Sequence, residues 1–198
     1  VDIDPDLVKL SNNEAGRLGI ADRAQFRVQD VFKADLSRAT VLTLYLLPEM
    51  MKDLSAKIYT ELRPGARVVS HDYHFGDWQH DDQIVFDVPE KEKINGVPQA
   101  TVYLWIVPAK VAGNWRIAVA GGRQYDAKLE QSYRYFGGTM NLGGRNVELQ
   151  QQTLRGLDIN FTVVSGNTRQ MFRGRVAGDP GGPPSGRARL LGGPRRPG

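Results

Sequence analysis

Val1-Asp2-Ile3-Asp4-Pro5-Asp6-Leu7-Val8 (VDIDPDLV) reads as the end of an apolar strand that runs directly into a helix. Asp4 is a residue type that caps helices through its side-chain oxygen, and Pro5 fits the first helical turn, where its missing N–H costs nothing. Leu7, Leu10 and Leu18 supply an apolar stripe, and Gly19 closes the helix. Outward from there, Gln25 to Gln29 reads as a short strand ending at Asp30, and Val31 to Ala39 as a polar connection. Thr40 to Leu47 (TVLTLYLL) is continuous, β-branched and apolar, the pattern of a parallel strand covered on both faces, and it stops at Pro48. Glu49 to Leu62 is an amphipathic helix ended by Arg63-Pro64-Gly65, and Ala66 to Tyr73 (ARVVSHDY) is the next buried strand. Alternation of strand and helix predicts an α/β sheet of the doubly wound kind.

The chain has 198 residues, 40% of them hydrophobic, enough for one good core or two small ones. No stretch approaches the roughly 20 apolar residues of a membrane span, and no cysteine is present for a disulfide or a thiolate metal site. A soluble, cytoplasmic protein is expected. Charge divides the chain: residues 1–108 hold 12 Lys and Arg against 17 Asp and Glu, a net of −5, and residues 109–198 hold 14 against 5, a net of +9. Several of the late arginines fall in a Gly/Pro/Arg-rich tail, 178–198, with little to pack, so that tail is expected to be disordered and nucleic-acid binding is not favoured.

After Val102 to Pro108 (VYLWIVP), which is apolar enough to finish the sheet, the periodicity changes. Trp115 to Ala120, Lys128 to Phe136, Asn146 to Leu149, Leu157 to Val164 and Gln170 to Val176 alternate in the manner of short antiparallel strands. Gly121-Gly122, Gly137-Gly138 and Gly143-Gly144 are expected to be hairpin turns. The predicted organisation is an α/β domain over 1–108, an antiparallel β meander over 109–177 that stops before a closing strand, and the tail over 178–198.

In doubly wound folds a carboxylate at the tip of the second strand accepts hydrogen bonds from a ribose diol, which marks Asp2. The segments VDIDPDLV, FRVQDVF, TVLTLYLLPEM and ELRPGARVVSHDYHFGDW resemble successive motifs of the class I S-adenosylmethionine-dependent methyltransferases, from the second strand to the loop after the fifth. The LLPEMM turn, the LRPGARVVS strand and the aromatic-rich loop ending at Trp78 are most similar to bacterial relatives of the small protein-lysine methyltransferases that modify the membrane ring of ATP synthase. The resemblance implies a Rossmann-like sheet and S-adenosylmethionine as cofactor. Asp2 would bind the ribose hydroxyls and Ile3 would lie against the adenine. Asp30 would accept from the adenine amine, with the Val31 backbone nearby.

The family's Asp/Glu-x-Gly-x-Gly-x-Gly turn does not occur in this sequence, so the reading expects it upstream of Val1 and expects this stretch alone to be inactive. Substrate chemistry would lie at the carboxyl ends of the fourth and fifth family strands. There Tyr45 and Pro48 would border the transferred methyl, and Glu49 would receive a cationic substrate. Strand packing for Tyr45 and a first-turn helix charge for Glu49 explain these residues equally well.

His71-Asp72-Tyr73-His74-Phe75-Gly76-Asp77-Trp78, with His80, Asp81 and Asp82 behind it, is rich in metal-ligand types, but residues 71 and 74 point to opposite faces of a strand, so no metal is expected. A substrate loop is preferred instead, with Phe75 and Trp78 as an aromatic wall over the site and His71 and Asp72 at its lip. The resulting expectation is methylation of a protein amine. The alternative is a noncatalytic partner-binding module in which the nucleotide fold is scaffold, and a weaker third is a dehydrogenase.

Overall fold

The computed structural model describes residues 1–119 and 122–177, which fall into two compact units, Val1–Arg38 and Ala39 onward. The expected disordered tail, Ala120 and Gly121 lie outside the described residues.

In the first unit, helix α1 spans Pro5–Arg17. Asp4 caps it by accepting from the Asp6 and Leu7 N–H groups, and Pro5 occupies the first turn, as the sequence dictates. Its end is closed by Gly19 at φ +66°, with the Ile20 N–H returning to the Ala15 carbonyl. The expected stripe of Leu7, Leu10 and Leu18 is exposed, and Val8 and Ala15 are the buried residues of the helix. Asn12 holds α1 to the following segment, its side-chain amide donating to the Phe26 carbonyl at 2.9 Å while its oxygen accepts from the Phe26 N–H at 3.1 Å. The strand expected over 25–29 is reduced to one parallel bridge, Asp2 with Val28. The Asp2 N–H donates to the Arg27 carbonyl and the Gln29 N–H to the Asp2 carbonyl. A short 3-10 turn, Val31–Lys33, follows Asp30.

The second unit begins with a four-stranded mixed sheet and two helices. Its elements are β1 (Val41–Leu44), α2 (Pro48–Glu61), β2 (Arg67–His71), β3 (Asp82–Asp87), α3 (Pro89–Asn95) and β4 (Gln99–Ile106). The strand order is β1-β2-β4-β3, with β1 and β2 parallel and the other pairs antiparallel. Met51, Leu54, Ser55 and Ile58, spaced at helical period, form the buried face of α2. Val68, Ser70 and Trp105 are buried in the sheet. β1 is shorter than the expected Thr40–Leu47, because Pro48 starts α2 and the three residues before it must make the connection. It is also not covered on both faces: Val41 and Thr43 are exposed, and among the described residues β1 pairs only with β2.

Six further antiparallel strands form a second sheet in simple meander order: β5 (Gly113–Ala118), β6 (Gln124–Ser132), β7 (Tyr135–Leu142), β8 (Arg145–Arg155), β9 (Asp158–Ser165) and β10 (Thr168–Arg175). It curls around one core that draws Trp115 and Ile117 from its first strand and Phe172 from its last. The strand expected over Lys128–Phe136 is two strands joined by a tight turn at Tyr133-Arg134, with Tyr133 at φ +50°. Gly137-Gly138 is likewise not a turn but part of β7. Gly138 has φ +129°, and a Cβ there would sit 2.0 Å from the Lys128 carbonyl oxygen, so the residue serves close strand approach. β8 runs well past the expected Leu149, because an irregularity between Gln150 and Thr153 lets both Leu149 and Leu154 face the core.

Candidate active site

The first unit brings four expected residues together at neighbouring chain ends. Asp2 lies in the bridge to Val28, Asp30 follows two residues beyond that bridge, and Ile3 and Val31 come directly after the two acids. Asp2 Oδ1 accepts from the Asp4 N–H at 2.9 Å, and Asp30 Oδ1 accepts from the Phe32 N–H at 2.9 Å. Each carboxylate therefore spends one oxygen on fixing its own loop. The Asp30 side chain is 4.0 Å from Lys33, a long and solvated pair of little energetic weight. Ile3 is 76% exposed, an aliphatic surface held beside the acids and facing water. The arrangement offers two hydrogen-bond acceptors and an apolar plate, suited to a polyhydroxylated ligand with a flat ring.

In the second unit the parallel register sets Leu44 beside Ser70, so Tyr45 and His71 emerge together at the carboxyl ends of β1 and β2. Their rings lie 5.2 Å apart, and Tyr45 is 80% exposed. Pro48 and Glu49 form the exposed first turn of α2, where Glu49 complements the helix dipole.

Asp72, at φ +62°, is tied into the fold rather than free at a lip. Its Oδ1 accepts from the Thr101 N–H at 2.9 Å and its Oδ2 pairs with Lys91 of α3. Burial alone would raise its pKa, but the hydrogen bonds from Lys91 and Thr101, with the charges of His71 and Lys91, outweigh that and hold it below the usual carboxylate range. His71 Nδ1 is 3.4 Å from Asp72 Oδ2 but misaligned, and this buried nitrogen makes no hydrogen bond.

Phe75 and Trp78 are 2% and 1% exposed, so they do not form an aromatic wall over the mouth of a site beside Tyr45. Phe75 stacks on Trp78 and meets Trp105 edge-on, and the Trp105 indole N–H donates to the Trp78 carbonyl at 2.8 Å. The cause is a contact invisible in the local sequence. Tyr133, at the turn between β6 and β7, stacks on Trp78 at 5.1 Å and 9°, and both rings meet Tyr59 of α2 edge-on.

Asp81, also deeply buried, accepts from the Ile106 N–H at 2.7 Å. Its other oxygen lies 3.4 Å from Arg134 and 3.7 Å from Arg155 without hydrogen-bond geometry, and Arg134 donates instead to the His80 carbonyl at 2.8 Å. The meander thus clamps the loop that follows β2. His74 and His80 border Tyr103. Among the described residues no three His, Asp or Glu side chains gather as a metal site.

Residues 1–82 match the profile of the ANTKMT methyltransferase domain. The chain is 30% identical over 107 residues to a protein-lysine N-methyltransferase of Saccharolobus islandicus, covering 54% of this chain and 62% of that one. It is 34% identical over 80 residues to an ATP synthase lysine N-methyltransferase of Xenopus laevis, covering 40% of this chain and 35% of the relative. Over its first 82 residues the chain is thus similar to a methyltransferase domain. The chain spans between about a third and somewhat under two thirds of the length of these curated relatives. A Salinibacter ruber RNA methyltransferase in complex with S-adenosyl-L-homocysteine is 41% identical, over 55% of this chain and 64% of that one, at a TM-score of 0.47. Among the described residues no helix is long and apolar enough to cross a membrane.

Lys91, Tyr133 and Arg134 were not legible as partners of the site loops. Only the Pro89-Glu90-Lys91-Glu92 helix start carried a signal, and it locates α3 without pointing to Asp72.

Proposed function

We propose that this chain carries the cofactor-binding and amine-orienting residues of an S-adenosylmethionine-dependent protein-lysine N-methyltransferase. The observation that carries the reading is the coincidence of the methyltransferase match over residues 1–82 with two neighbouring carboxylates, Asp2 and Asp30, each of which keeps one oxygen clear of its local backbone bond. The relatives' names supply the acceptor class.

In this reading Asp2 accepts from the ribose hydroxyls, Ile3 lies against the adenine ring, Asp30 accepts from its exocyclic amine, and the Val31 backbone borders the same ring. When bound, S-adenosylmethionine supplies a methyl carbon activated by a sulfonium. The lysine would have to give up its ammonium proton to water and reach that methyl as a neutral amine held by this chain's residues. Tyr45 orients the amine through its hydroxyl, Pro48 fixes the turn beside it, and Glu49 draws in the lysine as a cation. His71 flanks Tyr45 by ring contact, and Asp72 positions the end of β2. Phe75 and Trp78 act as packing residues beneath that end.

In a protein that also carries the family's glycine-rich turn, calorimetric titration with S-adenosylhomocysteine, followed by mass spectrometry of a lysine-containing protein acceptor incubated with S-adenosylmethionine, tests this. A gain of about 14 Da per methyl on lysine is expected. Label appearing only in ribonuclease-sensitive material overturns the acceptor class, and absence of S-adenosylhomocysteine binding overturns the whole reading.

A further inference from the structure

β3 is the anomaly of the first sheet. All six of its residues are exposed, including Ile84 at 61%, Val85 at 53% and Phe86 at 44%, and among the described residues it pairs with β4 alone. Apolar side chains uncovered on both faces of a strand that also has a free backbone edge are a template for one more strand.

Its place in the sheet gives that edge a use. Ile84 lies opposite Val102, and Val102 lies opposite His71 on its other side. β3 runs in the same direction as β2, so Val85 to Asp87 extend past the carboxyl end of β2, the end that also carries Tyr45. Exposed Ile94 and Val97, in the connection back to β4, add apolar surface.

Charge selects the occupant. From Asp77 to Glu92 there are six carboxylates against one cation, Lys91, and Lys91 is paired with Asp72. Asp82 and Asp87 sit at the two ends of β3. A second copy pairing antiparallel about the strand centre would therefore set Asp82 of one chain against Asp87 of the other at both ends, a cross-strand repulsion. A basic strand meets the same edge with attraction. We propose that the free edge of β3 pairs with an extended, lysine-bearing segment of a partner protein, which the lysine-methylation reading above makes the methyl acceptor.

The test uses a blocked twelve-residue peptide of alternating valine and lysine, and a counterpart with glutamate in place of lysine. Amide hydrogen exchange in residues 82–87 should slow by about tenfold when the lysine peptide saturates the protein, and Ile84→Lys, at an exposed position, should weaken peptide binding by at least about tenfold. S-adenosylhomocysteine affinity should be the same in the wild type and the variant. Unchanged exchange at 82–87, equal binding of the glutamate peptide, or slow exchange without peptide accompanied by a dimer in sedimentation each overturns the proposal. Failure of the wild type to bind S-adenosylhomocysteine overturns the methylation reading instead. Exchange protection by the lysine peptide in that case leaves the edge as a peptide site of its own.

Discussion

Four aspartates divide this molecule into two ways of using a carboxylate. In the first unit, beside an exposed Ile3, Asp2 and Asp30 accept hydrogen bonds from backbone groups two residues away, and Asp30 adds a long pair to Lys33. In the second, Asp72 and Asp81 are mostly buried and reach partners 19 to 74 residues distant: Lys91 and Thr101 for one, Ile106, Arg134 and Arg155 for the other. Local bonding fixes an acid's direction and leaves acceptor capacity over. Long-range burial consumes that capacity to hold a loop. A carboxylate's chemistry is thus set less by its motif than by whether tertiary contacts have already claimed it.

The contrast is broken most sharply where the second unit is most buried. Trp78→Ala should destabilise the protein by about 3–5 kcal/mol in urea denaturation, the scale of emptying a large aromatic site. A variant with native stability but impaired methyl transfer would restore a gating role for Trp78. In the first unit the cost should fall on ligand and not on fold. In a protein that also carries the glycine-rich turn, Asp2→Ala should weaken S-adenosylhomocysteine binding by about 1.5–3 kcal/mol in calorimetry, the scale of a hydrogen bond to a charged group. Its unfolding midpoint should stay close to wild type, and equal affinity in the two proteins would remove Asp2 from the site.

Asp81→Ala is expected to cost about 1–3 kcal/mol of stability, because the Ile106 N–H loses its acceptor inside the protein. Proteolytic sensitivity of the segment 72–81 should rise with it, and an unchanged cleavage pattern would show that the meander does not hold that loop. Smallest is Asp72→Asn, about 1 kcal/mol at pH 7. The folded pKa of Asp72 is depressed, so its contribution is present above the ordinary carboxylate range and is lost as pH falls through the folded value. The gap between wild type and variant in thermal melts should therefore close with acidification, and a gap that widens below about pH 4 would contradict the ion pair.

Both long helices were legible in the sequence, since their starts depend on adjacent residues: Asp4 before Pro5, and Pro48 at the head of α2. β2 was legible too, as an apolar run after Pro64-Gly65. β3 was not, because a strand exposed on both faces has no alternation to read, and neither was the turn at Tyr133, a residue type that rarely takes positive φ. Of the candidate residues, Tyr45 and His71 stand at the carboxyl ends of β1 and β2 as the spacing suggested, whereas Asp2 and Asp30 lie in and just beyond a single bridge and not at the ends of full strands. Phe75 and Trp78 were expected as a wall at the mouth of a site because they follow a strand, while their burial depends on Trp105 and on Tyr133, 55 residues beyond Trp78.

By itself, the sequence determined what neighbouring residues decide: caps, helix starts and stops, and the alternation of strand and helix from Thr40 to Tyr73. Only the tertiary structure decided which aromatics lie inside, which carboxylates are already spent, and which strand is left with a bare edge. The physical reason is range. Capping and turn energies act across two to four residues, whereas burial and ion pairing depend on groups that meet only after the chain has folded.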